Sequence, residues 1–180
     1  MKQAELISQL QDETKKLIKR AESFCEKDAL QLKHQKNNTS WSNLQCIEHL
    51  NHYSKFYLKE FELRINKGKS VKGESSYKRG FWGKLFTNGM LPDENMKKMK
   101  TFKKMNPSNA ALNKDIINQF IQDQEKLLAL LEKARKIDLN KNNCRITLPI
   151  IRMRIGDTLT FYVYHNIRHI TQAKNALNQN

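Results

Sequence analysis

Three histidines in this chain have the residue type and spacing that metal chemistry requires. His165 and His169 stand four residues apart in the stretch 156–177, which reads as a helix of about six turns. They therefore lie one above the other on a single helical face, where two imidazoles can bind one divalent metal ion. Because this spacing is common in helices, a third ligand from elsewhere in the chain is needed to support a site.

His49 is the candidate for that third ligand. A second helix is predicted from Ser42, which forms a capping box with Gln45, to about residue 66. His49 shares its face of this helix with Cys46, Tyr53, Phe56 and Leu63. A histidine on such an apolar face is more often a hydrogen-bonded core residue than a ligand. Three core-facing histidines, however, each need a partner, and one shared metal would satisfy all three. Three neutral imidazoles leave a metal with an open position for water or a thiolate, as in catalytic sites.

The elements that must position these histidines are four amphipathic helices. The first is predicted over 3–33, the third over 109–137 after Ser108 as its cap, and the fourth from Asp157 as N-cap. Glycine and proline are scarce, which also favours helices. We therefore expect an all-α protein, a single domain over 1–180 that forms a four-helix bundle. Residues 138–155 are a second connection, in which RITLPIIRMRI, residues 145–155, is predicted to be extended, with Pro149 preventing a central strand.

A long basic crossover, residues 69–108, joins the second and third helices. The stretch 69–110 carries ten lysines and arginines against three acids. Within it, GFWGKLFTNGML predicts a short amphipathic helix. Its predicted buried residues are Phe81, Trp82, Leu85 and Phe86. The crossover is expected to wrap the bundle with Trp82, Phe102 and Met105 as anchors; the alternative is a lid or a partner-binding arm.

Composition limits the classes of partner and the compartment. The net charge of +15 permits nucleic acid or an acidic partner, and it also fits a lysine-rich solvated surface. The three cysteines show no pairing pattern and fit a reducing cytoplasm. No signal peptide is recognised at the N-terminus, and no apolar run approaches the ~20 residues of a membrane span. We therefore expect a cytoplasmic protein with no membrane association.

Two stretches resemble the signatures of a known family. WSNLQCIEHL, which contains His49, and HNIRHITQA, which contains His165, His169 and Gln172, resemble the two signatures of the DinB-like superfamily. The lead-in GDTLTFYVYHN also fits, and the resemblance covers essentially the whole chain. It implies a four-helix bundle of DinB-like type, a zinc, nickel or iron ion held by the three histidines, and a homodimer. Some relatives are transferases or isomerases that use low-molecular-weight thiols such as bacillithiol or mycothiol; many have no known activity.

Two classes of function follow from these observations. The first is a divalent-metal-dependent enzyme that acts on a small molecule, either a low-molecular-weight thiol S-transferase or a hydrolase. Glu48 and Glu60 lie on the helix of His49, and Glu60 is almost three turns away, so no general base is evident and no catalytic residue is assigned. The absence of a base favours a thiolate over water. The second class is a non-catalytic basic module that binds nucleic acid or protein through 69–104. The clustering of its aromatic residues, which is typical of packing, argues against it.

A pocket is expected beside the three histidines, opening towards the bundle end near Ser42. Gln172 and Gln124 are candidates to fix an imidazole tautomer, and Tyr162 is a candidate to reach bound substrate. The expected walls are Tyr53, Phe56, Phe161 and Tyr162, with Gln124 as a polar contact. Such walls favour a small, partly apolar substrate or a thiol adduct over a polyanion. Nothing in the sequence selects a particular thiol.

Overall fold

Four long helices carry the apolar stripes that the sequence predicts, and they form the frame of the molecule. The computed structural model describes residues 1–71, 73, 75–90, 101–107 and 112–177. Within these ranges the α-helices are α1 (Gln3–Cys25), α2 (Ala29–Lys33), α3 (Asn43–Asn66), α4 (Phe81–Asn88), α5 (Asp115–Ala134) and α6 (Ile155–Leu177), and the strands are β1 (Asn143–Arg145) and β2 (Arg152–Arg154). A single turn of 3-10 helix spans Lys103–Met105. The prediction of an all-α bundle with a long crossover between its second and third long helices is confirmed.

The frame brings α3 and α6 side by side in opposite directions. Helices α1 and α3 each pack against both α5 and α6. At one end of the α3–α6 pair, the Asn43 side chain donates a hydrogen bond of 3.2 Å to the carbonyl of Ala173. Further along, the rings of Tyr57 and Phe161 lie 6.1 Å apart. Residues near the start of α3 therefore face residues past the middle of α6, which is the arrangement that a shared histidine site needs.

The first predicted helix, 3–33, is wrong in its length because it breaks after Cys25. The Asp28 carboxylate accepts a hydrogen bond of 2.8 Å from the backbone N–H of Gln31 and so caps the separate short helix α2. An aspartate that satisfies free N–H groups in this way starts a new helix where the periodicity alone continues the old one. Helix α3 begins and ends as predicted, with the capping box of Ser42 and Gln45 in place.

The predicted starts of the last two helices are also wrong. Helix α5 begins at Asp115 and ends at Ala134, whereas 109–137 was expected; Ser108, its expected cap, lies outside the described residues. Helix α6 begins at Ile155, two residues before Asp157. Asp157 is therefore a buried residue of the first turn, and its carboxylate is free to bind the crossover.

The connection between α5 and α6 forms a short hairpin. Strands β1 and β2 pair antiparallel, with Cys144 opposite Met153. The buried carboxylate of Glu60 on α3 holds this hairpin, since it accepts hydrogen bonds of 2.8 Å from the backbone N–H of Arg145 and 2.7 Å from the side chain of Arg64. The segment 145–155 is thus extended at Arg145 and over Arg152–Arg154, as predicted, but residues 147–150 form a bend between the strands. Glu60 is engaged in anchoring the hairpin.

Helix α4 packs on α6 through its smallest residue. The carboxylate of Asp157 accepts hydrogen bonds from the Tyr77 hydroxyl and, at 3.1 Å, from the backbone N–H of Gly80. Gly83 lies directly against this carboxylate: a Cβ there would come within 2.2 Å of it. The described part of the crossover thus wraps α6 as expected, but its contact with the bundle depends on glycine and aspartate.

The predicted burial of the four large apolar residues of α4 is wrong for three of them. Phe81, Trp82 and Leu85 are 75%, 42% and 54% exposed, and Phe86 alone of the four is half-buried. Because α4 turns its small residues Gly83 and Thr87 towards α6, its large apolar residues point outwards. Phe102, another expected anchor, is 48% exposed. Across the described ranges, no helix has the length and apolar character that a membrane span requires.

Candidate metal centre

The antiparallel pairing of α3 and α6 brings the three predicted histidines together. The ring of His49 lies 5.2 Å from that of His165 and 4.5 Å from that of His169, and the last two rings are 4.6 Å apart. One nitrogen from each ring can be chosen so that all three lie within 4.8 Å of one another. His49 and His165 are buried and His169 is half-buried. The cluster therefore lies where the bundle core meets the solvent-accessible side of the bundle.

Hydrogen bonds to oxygen acceptors fix the tautomers of two of these rings. Nδ1 of His49 lies 2.7 Å from the carbonyl oxygen of Met105, and Nδ1 of His169 lies 2.9 Å from Oε1 of Gln172. Since these oxygens only accept, each Nδ1 carries the proton and donates it. In the neutral rings, Nε2 of both histidines is then left with a lone pair. Gln172 thus contacts His169 as the sequence suggested.

His165 completes a set of ring nitrogens that one ion can join. Its Nε2 lies 3.4 Å from Nε2 of His49, and among the described residues its buried Nδ1 has no hydrogen-bond partner. Two imidazole nitrogens bound to one tetrahedral zinc are about 3.3 Å apart, because each Zn–N bond is ~2.0–2.1 Å. The spacing of this pair and the chemistry of all three donors therefore fit a divalent metal ion.

The rings of this cluster are uncharged at neutral pH. Burial lowers the pKa of His49 to about 4 and that of His169 to about 3. Burial also lowers the pKa of His165 well below its ordinary value, and the charge of Arg168 adds to the lowering for His165 and His169. A buried imidazolium is unfavourable because it loses its hydration. The neutral form is the one that binds metals.

A cavity of about 670 Å³ opens beside the cluster. Trp41 lies over the histidines, with its ring 4.8 Å from that of His49 and 5.9 Å from that of His169. Thr39 and Ser40 also line the cavity, which places it at the bundle end near Ser42, as expected. The other aromatic lining residues are Tyr53, Tyr57, Phe86, Phe102 and Phe161. Among the described residues of this lining there is no aspartate or glutamate.

Three of the residues predicted for the pocket lie elsewhere. Tyr162 is fully buried, and its hydroxyl is 2.7 Å from that of Ser54. Gln124 is buried too, and its Oε1 accepts a hydrogen bond of 3.0 Å from Asn166. Phe56 packs edge-on against Tyr57. The prediction that these three residues form the walls does not hold, since the cavity is lined by Tyr53 and Phe161 but not by them. For Tyr162 the reason is its position on α6, because it lies 100° round the helix from Phe161.

Several lining residues were missed by the sequence reasoning. Arg168 comes three residues after His165 and Tyr57 comes eight after His49, so helical spacing alone could have indicated both. The Met105 carbonyl and the hairpin residues of the lining leave no such signal. The two carboxylates considered as bases do not line the cavity: Glu60 anchors the hairpin, and Glu48 lies 3.6 Å from His52.

Comparison with known proteins identifies the family of the chain. A family model of the DinB superfamily matches residues 7–173, which is most of the chain and includes all three histidines. No curated protein and no solved structure matches the chain. The fold of that superfamily is a four-helix bundle, as found in the structure. The chain belongs to the DinB superfamily.

Proposed function

We propose that the chain holds a divalent metal ion through Nε2 of His49, His165 and His169 and acts as a metal-dependent enzyme on a small molecule. The observation that carries this proposal is the pair of Nε2 atoms 3.4 Å apart beside a third imidazole, with two of the Nδ1 protons already donated to oxygen. Without a cation, this pair of atoms is satisfied only if His165 carries its proton on Nε2 and donates it to Nε2 of His49. Zinc, nickel and iron all suit imidazole ligands, and availability influences which is found.

The proposed reaction class is transfer to or from a low-molecular-weight thiol. A divalent ion with three neutral ligands keeps its charge and lowers the pKa of a thiol or water at its open position. The described lining residues offer no carboxylate to take a proton from water. A thiol needs less help, since its own pKa is far closer to neutrality than that of water. The chain's part is then to orient the ligands and to exclude solvent with Trp41 and Tyr53.

The compartment in this proposal is the reducing cytoplasm, where such thiols are found. Cys25, Cys46 and Cys144 are all free, and the last two are buried. This pattern is typical of proteins that do not meet an oxidising environment. Cys46 and Cys144 are also poor nucleophiles, because burial raises the pKa of both thiols and so disfavours the reactive thiolate. The thiol in the proposal is therefore supplied by the substrate.

The test is a titration of low-molecular-weight thiols into the cobalt-loaded protein. A sulfur-to-cobalt charge-transfer band with at least one thiol, lost in His169→Ala, is expected. His52→Ala is the matched control, because His52 lies on α3 outside the cluster and should keep the band. If no thiol produces the band while cobalt is bound, the transferase proposal fails and hydrolysis becomes the better reading.

Removing the Gln172 side chain should weaken metal binding. Gln172→Ala takes away the acceptor that holds Nδ1–H of His169 and fixes its ring orientation. Loss of such a partner typically lowers metal affinity about 10- to 100-fold. Competition with a chromophoric chelator measures the change. Gln31→Ala, an exposed glutamine far from the cluster in the sequence, is the control and should leave the affinity unchanged; equal affinities in all three proteins would contradict the role.

A second candidate function is favoured by the exposed face of α4. Phe81 and Trp82 stand out from the helix, and Lys78, Arg79 and Lys84 are exposed beside them. Exposed aromatic rings next to basic side chains are the features that bind single-stranded nucleic acid by stacking and charge. The clustering of aromatics therefore no longer argues against a basic binding module. For the homodimer that the family resemblance implies, we propose this same apolar face as the contact between the two copies.

Two experiments distinguish nucleic-acid binding by the α4 face from a dimer contact through it. Binding of short single-stranded DNA or RNA should fall steeply with salt if the basic residues contact phosphates, and Trp82→Ala should weaken it by about 1–3 kcal/mol. Sedimentation of wild type and of Trp82→Ala gives the oligomeric state. If the protein binds no nucleic acid at low salt, the nucleic-acid function is contradicted. If Trp82→Ala forms the same dimer as wild type, α4 is not part of the dimer contact.

A further inference from the structure

The three histidines divide the cavity beside them into two ends. Position along α6 gives position along the cavity, because Phe161, His165, His169 and Gln172 all line it. Phe161 precedes His165 by four residues, which is about 6 Å of helix, and Gln172 follows His169 by three. The histidines therefore separate an end near Phe161 from an end near Gln172.

Four aromatic rings from three helices enclose the end near Phe161. The ring of Phe161 lies 6.1 Å from that of Tyr57 on α3 and 6.2 Å from that of Phe86 on α4. Tyr53 on α3 connects this group to the metal centre, since its ring lies 6.1 Å from that of Tyr57 and 4.3 Å from that of His165. All four rings line the cavity. We call this group the aromatic end.

The hairpin region adds aliphatic side chains to the aromatic end. Ile146, Leu148 and Met153 line the cavity. The backbone N–H of Thr147 donates a hydrogen bond of 3.4 Å to the Tyr57 hydroxyl, which holds the hairpin region beside the rings. Tyr57 is fully buried and Met153 is 2% exposed, so a ligand group bound against them would be removed from water. Aromatic and aliphatic walls of this kind bind apolar groups through burial of surface.

The end near Gln172 is lined by polar side chains instead. Asn175 lines it from α6, and Lys36, Thr39 and Ser40 line it from the segment before α3. Asn175, Lys36 and Thr39 are exposed. A ligand that spans the cavity is therefore expected to place its apolar part at the aromatic end and its polar part here.

The surroundings of the aromatic end favour an uncharged group over a cation. Aromatic rings can also enclose a cation, because their faces attract ammonium groups. The described lining, however, offers no carboxylate to pair with a cation. The ring of Phe161 lies 5.8 Å from that of His165, so a divalent ion at the histidines would repel positive charge at the aromatic end. A buried charge without a partner is unfavourable.

We propose that the aromatic end is a specificity site, which binds an uncharged aromatic or aliphatic group of the substrate. In the thiol transfer proposed above, this group belongs to the molecule that reacts with the thiol, and the polar part of the thiol lies at the end near Gln172. The proposal rests on the proposed function in this one respect, that the reacting atom of the substrate lies at the three histidines.

The test uses an uncharged dye and a series of alcohols that compete with it. The dye is N-phenyl-1-naphthylamine, whose fluorescence rises in apolar surroundings, and the competitors are 1-butanol, 1-hexanol and 1-octanol. Because each CH2 group buried at an apolar site adds to the binding energy, the dissociation constant of the alcohol should fall about fourfold for each one added. The hexylammonium ion should compete about 10-fold more weakly than 1-hexanol, since its charge finds no partner.

Two variants of the lining place the binding at the aromatic end. Phe161→Gln should weaken dye binding about 10-fold, because a polar side chain replaces an apolar wall. Leu148→Gln, in the hairpin region, should weaken it in the same direction. Phe81→Gln is the matched control, since Phe81 is 75% exposed on α4, lies outside the lining and should keep the wild-type affinity. Melting temperatures of all variants confirm folding.

Three outcomes would overturn the proposal. The first is dye binding that persists unchanged in both lining variants, or that is lost in Phe81→Gln and so belongs to the exposed face of α4. The second is an affinity that does not change with the length of the alcohol. The third is a hexylammonium ion that competes better than 1-hexanol, which would make the four rings a site for cations.

Titrations of zinc-loaded and of chelator-treated protein separate this proposal from the proposed function. Dye and alcohols bind by burial of apolar surface, so the dependence on chain length and on Phe161 should persist without metal. Binding seen only with zinc contradicts the aromatic end as a subsite of its own. If the alcohols compete as expected but no thiol perturbs the cobalt spectrum, the aromatic end stands and the thiol transferase does not. If a thiol produces the cobalt band but the dye does not bind, the transferase stands and the aromatic end does not.

Discussion

Zinc is expected to raise the melting temperature of the wild-type protein by about 8–16 °C and to leave that of His165→Ala unchanged. A ligand present at ~1,000 times its dissociation constant stabilises a protein by about 4 kcal/mol, and ~1 kcal/mol shifts the melting temperature of a chain of this size by about 2–4 °C. His165 contributes the Nε2 atom that faces His49 at 3.4 Å. Its removal leaves two ligands on a site that needs three.

The measurement is thermal unfolding with added zinc and again after a chelator, beside metal analysis of the purified proteins. His52→Ala is the matched control, since it removes a histidine of α3 whose ring pairs with Glu48 outside the cluster. It should respond to zinc as the wild type does. The proposed metal site would be contradicted if zinc raised the melting temperatures of wild type and His165→Ala equally. It would also be contradicted if zinc changed neither melting temperature and neither protein contained metal.

The histidine cluster could be predicted because it depends on helix periodicity. Each of the three residues stands on an apolar stripe, and stripes of neighbouring helices must face one another in a bundle. The start of α3 could also be predicted from the sequence, since Ser42 and Gln45 form a local capping box whose atoms lie within one turn. Such features require no knowledge of what packs against them.

The walls of the cavity and the packing of α4 depend on contacts that periodicity does not encode. Met105 reaches His49 through a backbone carbonyl, and every residue has one. Phe81 and Trp82 looked like core residues, yet the contact side of α4 is set by the close approach of Gly83 to Asp157. Asp157 in turn looked like a helix cap, and it binds a segment 80 residues earlier through Tyr77. Long-range hydrogen bonds of this kind override local signals.

Asp157→Ala is expected to destabilise the protein by about 3 kcal/mol. The carboxylate accepts hydrogen bonds from the Tyr77 hydroxyl and from the backbone N–H of Gly80, and hydrogen bonds to charged groups contribute about 1.5–3 kcal/mol each. The alanine leaves the mostly buried Tyr77 hydroxyl without this acceptor. By the size scaling used above, the melting temperature should fall by about 6–12 °C. Asp157→Asn keeps one oxygen acceptor and should lose less.

Gly83→Ala tests the same contact from the opposite side. In an ordinary helix this change stabilises by about 1 kcal/mol, because alanine is the better helix former. Here the new methyl group would lie 2.2 Å from the Asp157 carboxylate, which Tyr77 and Gly80 hold in place. We therefore expect the opposite sign, a loss of about 1–3 kcal/mol from overpacking, measured by chemical denaturation.

Gly89→Ala is the control for this sign reversal. Gly89 follows the last residue of α4 with a right-handed backbone, and a Cβ there would come no closer than 3.6 Å to another atom. It should therefore be neutral or slightly stabilising. If Gly83→Ala behaved like Gly89→Ala, α4 would not lie against Asp157. The crossover carries the Met105 carbonyl that holds His49, so Gly83→Ala should also weaken zinc binding, whereas Gly89→Ala should leave it unchanged.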